Sequence, residues 1–79
     1  MDFKKLGKMV RYHRKESGLT QEGLALLAGL GKTVVFELEG GKSSIRLDNL
    51  LKVFKVLNIK IAFEGPLMGL FEEKYREES

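Results

Sequence analysis

Residues 29–31, Gly29-Leu30-Gly31, join two short helical runs, residues 21–28 and 32–39. Each run holds only about two turns of helix. A tight glycine-containing turn between two such runs folds the second against the first, and Gly29 supplies the positive φ that the turn needs. Close packing of the pair requires a small residue in the first run, which Ala25 provides. Val35 and Leu38 are then expected to point inward, against Leu24 and the rest of the core. With 79 residues and no Cys, the chain is one small domain without a disulfide. A domain of this size buries a modest core and is often helped by a second chain.

The remaining periodicity is mostly helical. Phe3, Leu6, Val10 and His13 form one stripe over residues 3–16, with Met9 beside it. Lys4, Lys8, Arg11 and Lys15 follow a 4-3-4 spacing on the other side. Asp2 can cap the start and Gly18 suits the stop. Thr20 is a good N-cap for the second run, Gln21 and Glu22 suit its first turn, and Glu22 favours the positive end of the helix dipole. That run continues through Leu24, Ala25, Leu27 and Ala28. Gly40-Gly41 ends the third, and residues 42–46 form a loop. From Leu47, the positions Leu50, Leu51, Phe54 and Leu57 make a strong stripe with Val53 on its edge; Asp48 lies in the first turn and Asn58 stops the helix. The period then changes. Ile59, Ile61 and Phe63 alternate with Lys60, Ala62 and Glu64, which is strand spacing, and Gly65-Pro66 breaks it. Residues 66–79 carry an apolar patch (Leu67, Met68, Leu70, Phe71) and a charged end, and fit either a short helix or a loose tail. There are no internal repeats.

Several functions are disfavoured. The string "AGLGKT" at residues 28–33 suggests a phosphate-binding loop, which requires G-x-x-x-x-G-K-[ST] following a strand. Gly31-Lys32-Thr33 supplies the second half, but position 26 is Leu, the preceding element is a helix, and the chain is too short for the parallel sheet. His13 stands without Cys or a carboxylate cluster, so it is expected to be structural, and no metal or other cofactor is implied. No nucleophile–base–orienter set is present, so no catalytic residue is assigned. No run approaches the ~18 apolar residues of a membrane span, and the N-terminus is basic and amphipathic, not an apolar leader. A cytoplasmic location with no membrane partner is therefore expected. Residues 1–63 hold 12 basic and 6 acidic residues, whereas residues 64–79 hold 2 basic and 5 acidic. A basic body with an acidic tail favours a polyanionic partner, nucleic acid first.

The stretch "GLTQEGLALLAGLGKTVVFELEGGK" resembles the helix-turn-helix of lambda-repressor/Cro-like regulators, the XRE family. Gly18, Leu19, Thr20, Gln21, Leu24, Ala25, Gly29, Leu30, Val35, Leu38, Glu39 and Gly41 match its pattern, and the likeness covers about residues 3–58. The resemblance implies a mostly α fold: a four- to five-helix lambda-repressor-like DNA-binding domain over residues 1–58. The ending "RLDNLLKVFKVLNIKIAFEG" is similar to HipB-type antitoxins, in which the last helix runs into one short strand. Those proteins repress their own operon and pair with a HipA-like kinase toxin. Residues 59–65 are accordingly expected to be a dimerisation strand, because a lone strand in a helical domain leaves its N–H and C=O groups unpaired. Two copies pairing antiparallel would join Ile59, Lys60, Ile61, Ala62 and Phe63 to their counterparts, with Ile59, Ile61 and Phe63 facing the joint core. A homodimer would present two recognition helices to a palindromic operator on double-stranded DNA, with half-sites ~34 Å apart.

Residue roles follow from the same resemblance. Thr20 and Gln21 open the first helix of the motif, where Gln21 would contact a phosphate and brace the recognition helix. Lys32, Thr33, Val34 and Glu37 occupy positions that reach base edges: Lys32 towards guanine, Thr33 towards several edges, Val34 towards a thymine methyl, Glu37 towards cytosine N4. Phe36 departs from the family, which usually has a small polar residue there; it can wedge against DNA, meet a protein or fold onto the core. Lys42, Ser43, Ser44 and Arg46 follow the helix and would grip phosphates. Arg14 and Glu39 match a family pair that links the first helix to the end of the recognition helix. An alternative reading keeps the fold without specific DNA reading, as a protein-interaction adaptor, and Phe36, Glu37 and the apolar "PLMGLF" favour it.

Overall fold

The computed structural model describes residues 1–78. Five helices follow in order: α1 (Phe3–Glu16), α2 (Gln21–Ala28), α3 (Lys32–Glu39), α4 (Leu47–Leu57) and α5 (Met68–Glu78). The first four pack around one core of Val10, Leu24, Ala25, Val35, Leu38, Leu50, Val53, Phe54 and Leu57. Leu6, Met9, Leu19 and Ile59 close its rim.

Local chemistry sets the boundaries. Asp2 accepts from Lys5 N–H at 3.0 Å and starts α1; Thr20 Oγ1 accepts from Gly23 N–H at 2.9 Å and starts α2. Gly29 ends α2 in the left-handed region at φ 70°, and Leu30 N–H returns to Ala25 O at 2.8 Å. That bond reverses the chain into α3 within the three residues the sequence allots. Asn58, at φ 58°, ends α4 in the same region, which Asn tolerates better than other side chains.

The α4 stripe differs from the sequence expectation, and α2 buries only part of its apolar run. In α4 the buried positions are Leu50, Val53, Phe54 and Leu57, while Leu51 is 44% exposed. Val53 is fully buried, and Leu51, two residues before it, lies nearly on the opposite side of the helix. In α2, Leu24 and Ala25 are buried whereas Leu26 and Leu27 are exposed, because a two-turn helix has only one face against the bundle.

Gly7 was not singled out by the sequence reading, yet it fixes the approach of α1 to α3. A Cβ at this position would lie 2.6 Å from the backbone oxygens of both Leu38 and Glu39. The bare backbone of α1 therefore rests on the C-terminal carbonyls of α3. This contact holds α3 at a set angle to the body.

Residues 59–64 form no strand, and no strand occurs among the described residues. The physical reason is that a ladder needs a partner, and four packed helices offer none within one chain. Ile59 is half-buried beside the core, but Phe63 is 76% exposed. Pairing between copies, expected from the alternation, is thus absent from the single chain. The tail, open between helix and loose chain, is helical as α5, and none of its residues is buried.

Candidate nucleic-acid interface

The site begins with a buried ion pair. Arg14, near the end of α1, donates from Nε to Glu39 Oε2 at 2.6 Å and from Nη2 to Oε1 at 3.0 Å. Its Nη1 donates to Leu19 O at 2.8 Å. Gln21 Nε2 adds a bond to Glu39 Oε1 at 3.2 Å. The Glu39 side chain is 3% exposed and that of Arg14 9%. The hydrogen bond to Glu39 raises the Arg14 guanidinium above its ordinary value; burial opposes this and the carboxylate charge adds to it. α1, the α1–α2 corner, the start of α2 and the end of α3 are thereby tied at one point. Gln21 therefore braces α3 through Glu39.

With its C-terminus held by Arg14 and Gly7, α3 directs its first turns outward. Lys32 and Thr33 are exposed, Val34 is half-buried, and Phe36 is 63% exposed. Phe36 does not fold back onto the core. Gly31 caps α3 without a side-chain hydrogen bond. Glu37 is half-buried and forms an ion pair with Lys42. Two residues expected to act separately, one on a base and one on a phosphate, are therefore joined in the free chain.

The loop that follows continues this surface. Ser43 and Ser44 are exposed. Arg46 donates from Nη2 to Asp48 Oδ2 at 2.8 Å. Both Lys42 and Arg46 are thus paired within the chain, not free. Exposed pairs of this kind contribute little, typically ~0–1 kcal/mol, so either cation can be handed to a competing anion.

Beside α3 lies a bowl of about 650 Å³ lined by Arg11, Arg14, Thr20, Gln21, Lys32 and Phe36, together with Leu19 and Glu22. At the start of α2, Gly23 N–H is taken by Thr20 Oγ1 and Leu24 N–H by Thr20 O. The N–H groups of Gln21 and Glu22 have no intrahelical acceptor. Arg11 and Lys32 flank this helix end with positive charge, an arrangement suited to an anion. Arg11 was not named as a contact from sequence. The signal was its place in the basic 4-3-4 spacing of α1, on the side away from the core.

His13 stands apart from this surface. It is half-buried, and its Nδ1 lies 2.7 Å from Met9 O. Among the described residues no group of three His, Cys, Asp or Glu side chains is placed to hold a metal. No helix among them is long and apolar enough to cross a membrane.

Two short helices joined by a glycine turn, the second braced at its end and exposed at its beginning, define a helix-turn-helix domain. The chain belongs to the helix-turn-helix family, whose model matches residues 10–63. It is also similar to an uncharacterized HTH-type transcriptional regulator, y4mF, of Sinorhizobium fredii. The two are 36% identical over 61 residues, covering 77% of this chain and 80% of the relative.

Proposed function

We propose that this chain is a sequence-specific DNA-binding transcriptional regulator that acts as a homodimer on a palindromic operator. The observation that carries this reading is the α3 surface. Its N-terminal turns project from the body while the Arg14–Glu39–Gln21 network fixes its other end. Lys32, Thr33, Val34 and Glu37 read base edges in the major groove, and Phe36 wedges against the DNA within that groove. Thr20 and Gln21, at the α2 N-terminus with Arg11 beside them, hold one phosphate. Lys42, Ser43, Ser44 and Arg46 hold the next, with Lys42 and Arg46 exchanging their carboxylate partners for DNA. Two apolar residues and an acid on α3 leave few hydrogen-bond donors for bases, so part of the specificity comes from DNA shape.

Residues 59–63 supply the dimer contact. The backbone of residues 60–63, which makes no backbone hydrogen bond among the described residues, and the exposure of Ile61 and Phe63 support this role. The finer reading is an autorepressor of the HipB antitoxin kind, with a HipA-like kinase toxin as partner. It rests on the likeness of the sequence over residues 46–65 to the ending of such antitoxins, although no strand forms there in the single chain, and a toxin gene beside the chain's own gene is its expected companion. The test is a fluorescence-anisotropy titration with DNA from upstream of the chain's own gene and with a scrambled duplex. Tight binding to the upstream duplex alone supports an autoregulator. Equal, weak binding to both refutes autoregulation and returns the adaptor reading.

A further inference from the structure

Helix α5 stands off from the four-helix body. None of its 11 residues is buried. The chain is elongated, 43 × 24 × 22 Å with a radius of gyration of 15.0 Å, against about 12 Å for a compact domain of this length. A solitary helix shorter than ~12–15 residues is marginal in water and depends on packing of its apolar face. Such a face exists. Leu67, just ahead of α5, and Leu70, Phe71 and Tyr75 follow i, i+3, i+4, i+8 spacing and are all exposed. Phe71 stacks on Tyr75 with ring centroids 6.0 Å apart. Glu72, Glu73 and Glu77 occupy the flanks and back, Lys74 and Glu78 share the side of the stripe, and Arg76 lies on the back, so four acidic side chains outnumber two basic ones.

The body carries a second uncovered apolar surface. A groove of about 490 Å³ runs between α1 and α4, lined chiefly by Leu6, Met9, Leu47, Leu51, Ile61 and Phe63. Its border is basic. Lys60 lines it, Lys5 lies one turn before Met9 in α1, and Lys55 one turn after Leu51 in α4. The nearby carboxylate of Asp48 is already held by Arg46. An acidic helix with one apolar stripe matches this groove in charge and in polarity.

We propose that α5 of each copy covers the α1–α4 groove of the other, so that the dimer exchanges its C-terminal helices. This inference rests on the dimer reading of residues 59–63 and adds an occupant for the groove. Antiparallel pairing centred on Ile61 sets Phe63 of one copy opposite Ile59 of the other. Ile59 closes the end of α4, its N–H bonded to Phe54 O at 2.8 Å. Only residues 64–67 separate Phe63 from α5, so α5 begins beside the other copy's α4. Its own groove is less accessible, because Phe63 lines it and the chain would have to reverse at once. The exchange is isologous: each copy gives one helix and accepts one, so the assembly closes at two.

The test is sedimentation equilibrium of the full chain and of its Leu70→Ser/Phe71→Ser variant, which alters only exposed residues and leaves the body intact. The dimer Kd of the variant is expected to rise at least about tenfold, the scale of losing interface anchors. An unchanged Kd in a dimeric variant overturns the exchange while leaving the strand dimer standing. A full chain that stays monomeric at all concentrations overturns the dimer reading itself. Because the chain has no Cys, cross-linking gives a second readout. Co-refolded Leu51→Cys and Phe71→Cys chains should oxidise to a mixed disulfide dimer. Efficient linkage of Phe71→Cys to itself instead would show α5 packing on α5 and refute the groove as its seat.

Discussion

Replacing Arg14 by Met removes three hydrogen bonds at once: two to Glu39 at 2.6 and 3.0 Å and one to Leu19 O at 2.8 Å. The Glu39 carboxylate, with a side chain only 3% exposed, is left with Gln21 at 3.2 Å. Removing one member of a buried pair costs about 3–5 kcal/mol, because the other charge stays desolvated. A chain of 79 residues has about 4–12 kcal/mol of stability in total. The single variant should therefore lose about a quarter or more of it, a fall in Tm of at least about 12 °C. Glu39→Leu should behave alike. In the double variant Arg14→Met/Glu39→Leu no charge remains buried, and only Leu19 O and Gln21 lose a partner. It should lie within about 2 kcal/mol of the parent. The assay is urea unfolding followed by circular dichroism at one fixed protein concentration, since the stability of any self-associating chain depends on concentration. A coupling energy of at least ~2 kcal/mol between the two sites is expected. If the double variant loses the sum of the two single losses, to within about 0.5 kcal/mol, the pair does not act as a unit and the reasoning fails.

Gly7→Ala tests the contact of α1 with the end of α3. In an open helix this change stabilises by about 1 kcal/mol. Here the new Cβ meets backbone oxygens at 2.6 Å, so a net loss of about 1–3 kcal/mol is expected in the same unfolding assay; a gain would show that α1 can retreat without cost. Gly31→Ser should raise stability by a few tenths of a kcal/mol, because the N-cap of α3 has ordinary extended backbone, φ −76° and ψ 152°, and no side-chain bond. Phe36→Ala should leave stability within about 0.5 kcal/mol of the parent, since the ring is exposed. It should weaken binding to the operator more than to a scrambled duplex; an equal loss on both would place Phe36 outside the reading face.

The legible parts of the fold were those in which local signals agreed. Thr20, Gly29 and Asn58 each mark a boundary by side-chain or backbone chemistry, and the helices end where those residues stand. Val35 and Leu38 sit at a spacing that only one face of a two-turn helix satisfies, and both are buried. Features that depend on distant contacts were not legible. Gly7 reads as an indifferent helix residue until the carbonyls of Leu38 and Glu39 arrive above it. Leu51 and Val53 are both apolar but lie on nearly opposite sides of α4, and only the packing of the other helices decides which is covered. On the interface, Lys32 and Thr33 stand exposed where the pattern put them. The pairing of Glu37 with Lys42 and of Arg46 with Asp48 was invisible, because it depends on the path of the 40–46 loop. Residues 59–63 carry strand periodicity without a strand, since the four packed helices offer them no strand to pair with.

The central claim is that the beginning of α3 is the DNA-reading surface. Lys32 tests it most directly, because it is exposed, lies on both the α3 face and the bowl, and forms no ion pair among the described residues. The measurement is fluorescence anisotropy of the parent and Lys32→Glu proteins with the upstream duplex over a series of salt concentrations. The parent should bind the operator with an affinity that falls as salt rises, and Lys32→Glu should lose that binding while keeping its fold by circular dichroism. A Lys32→Glu protein that binds the duplex as tightly as its parent, with the same salt slope, would contradict the account.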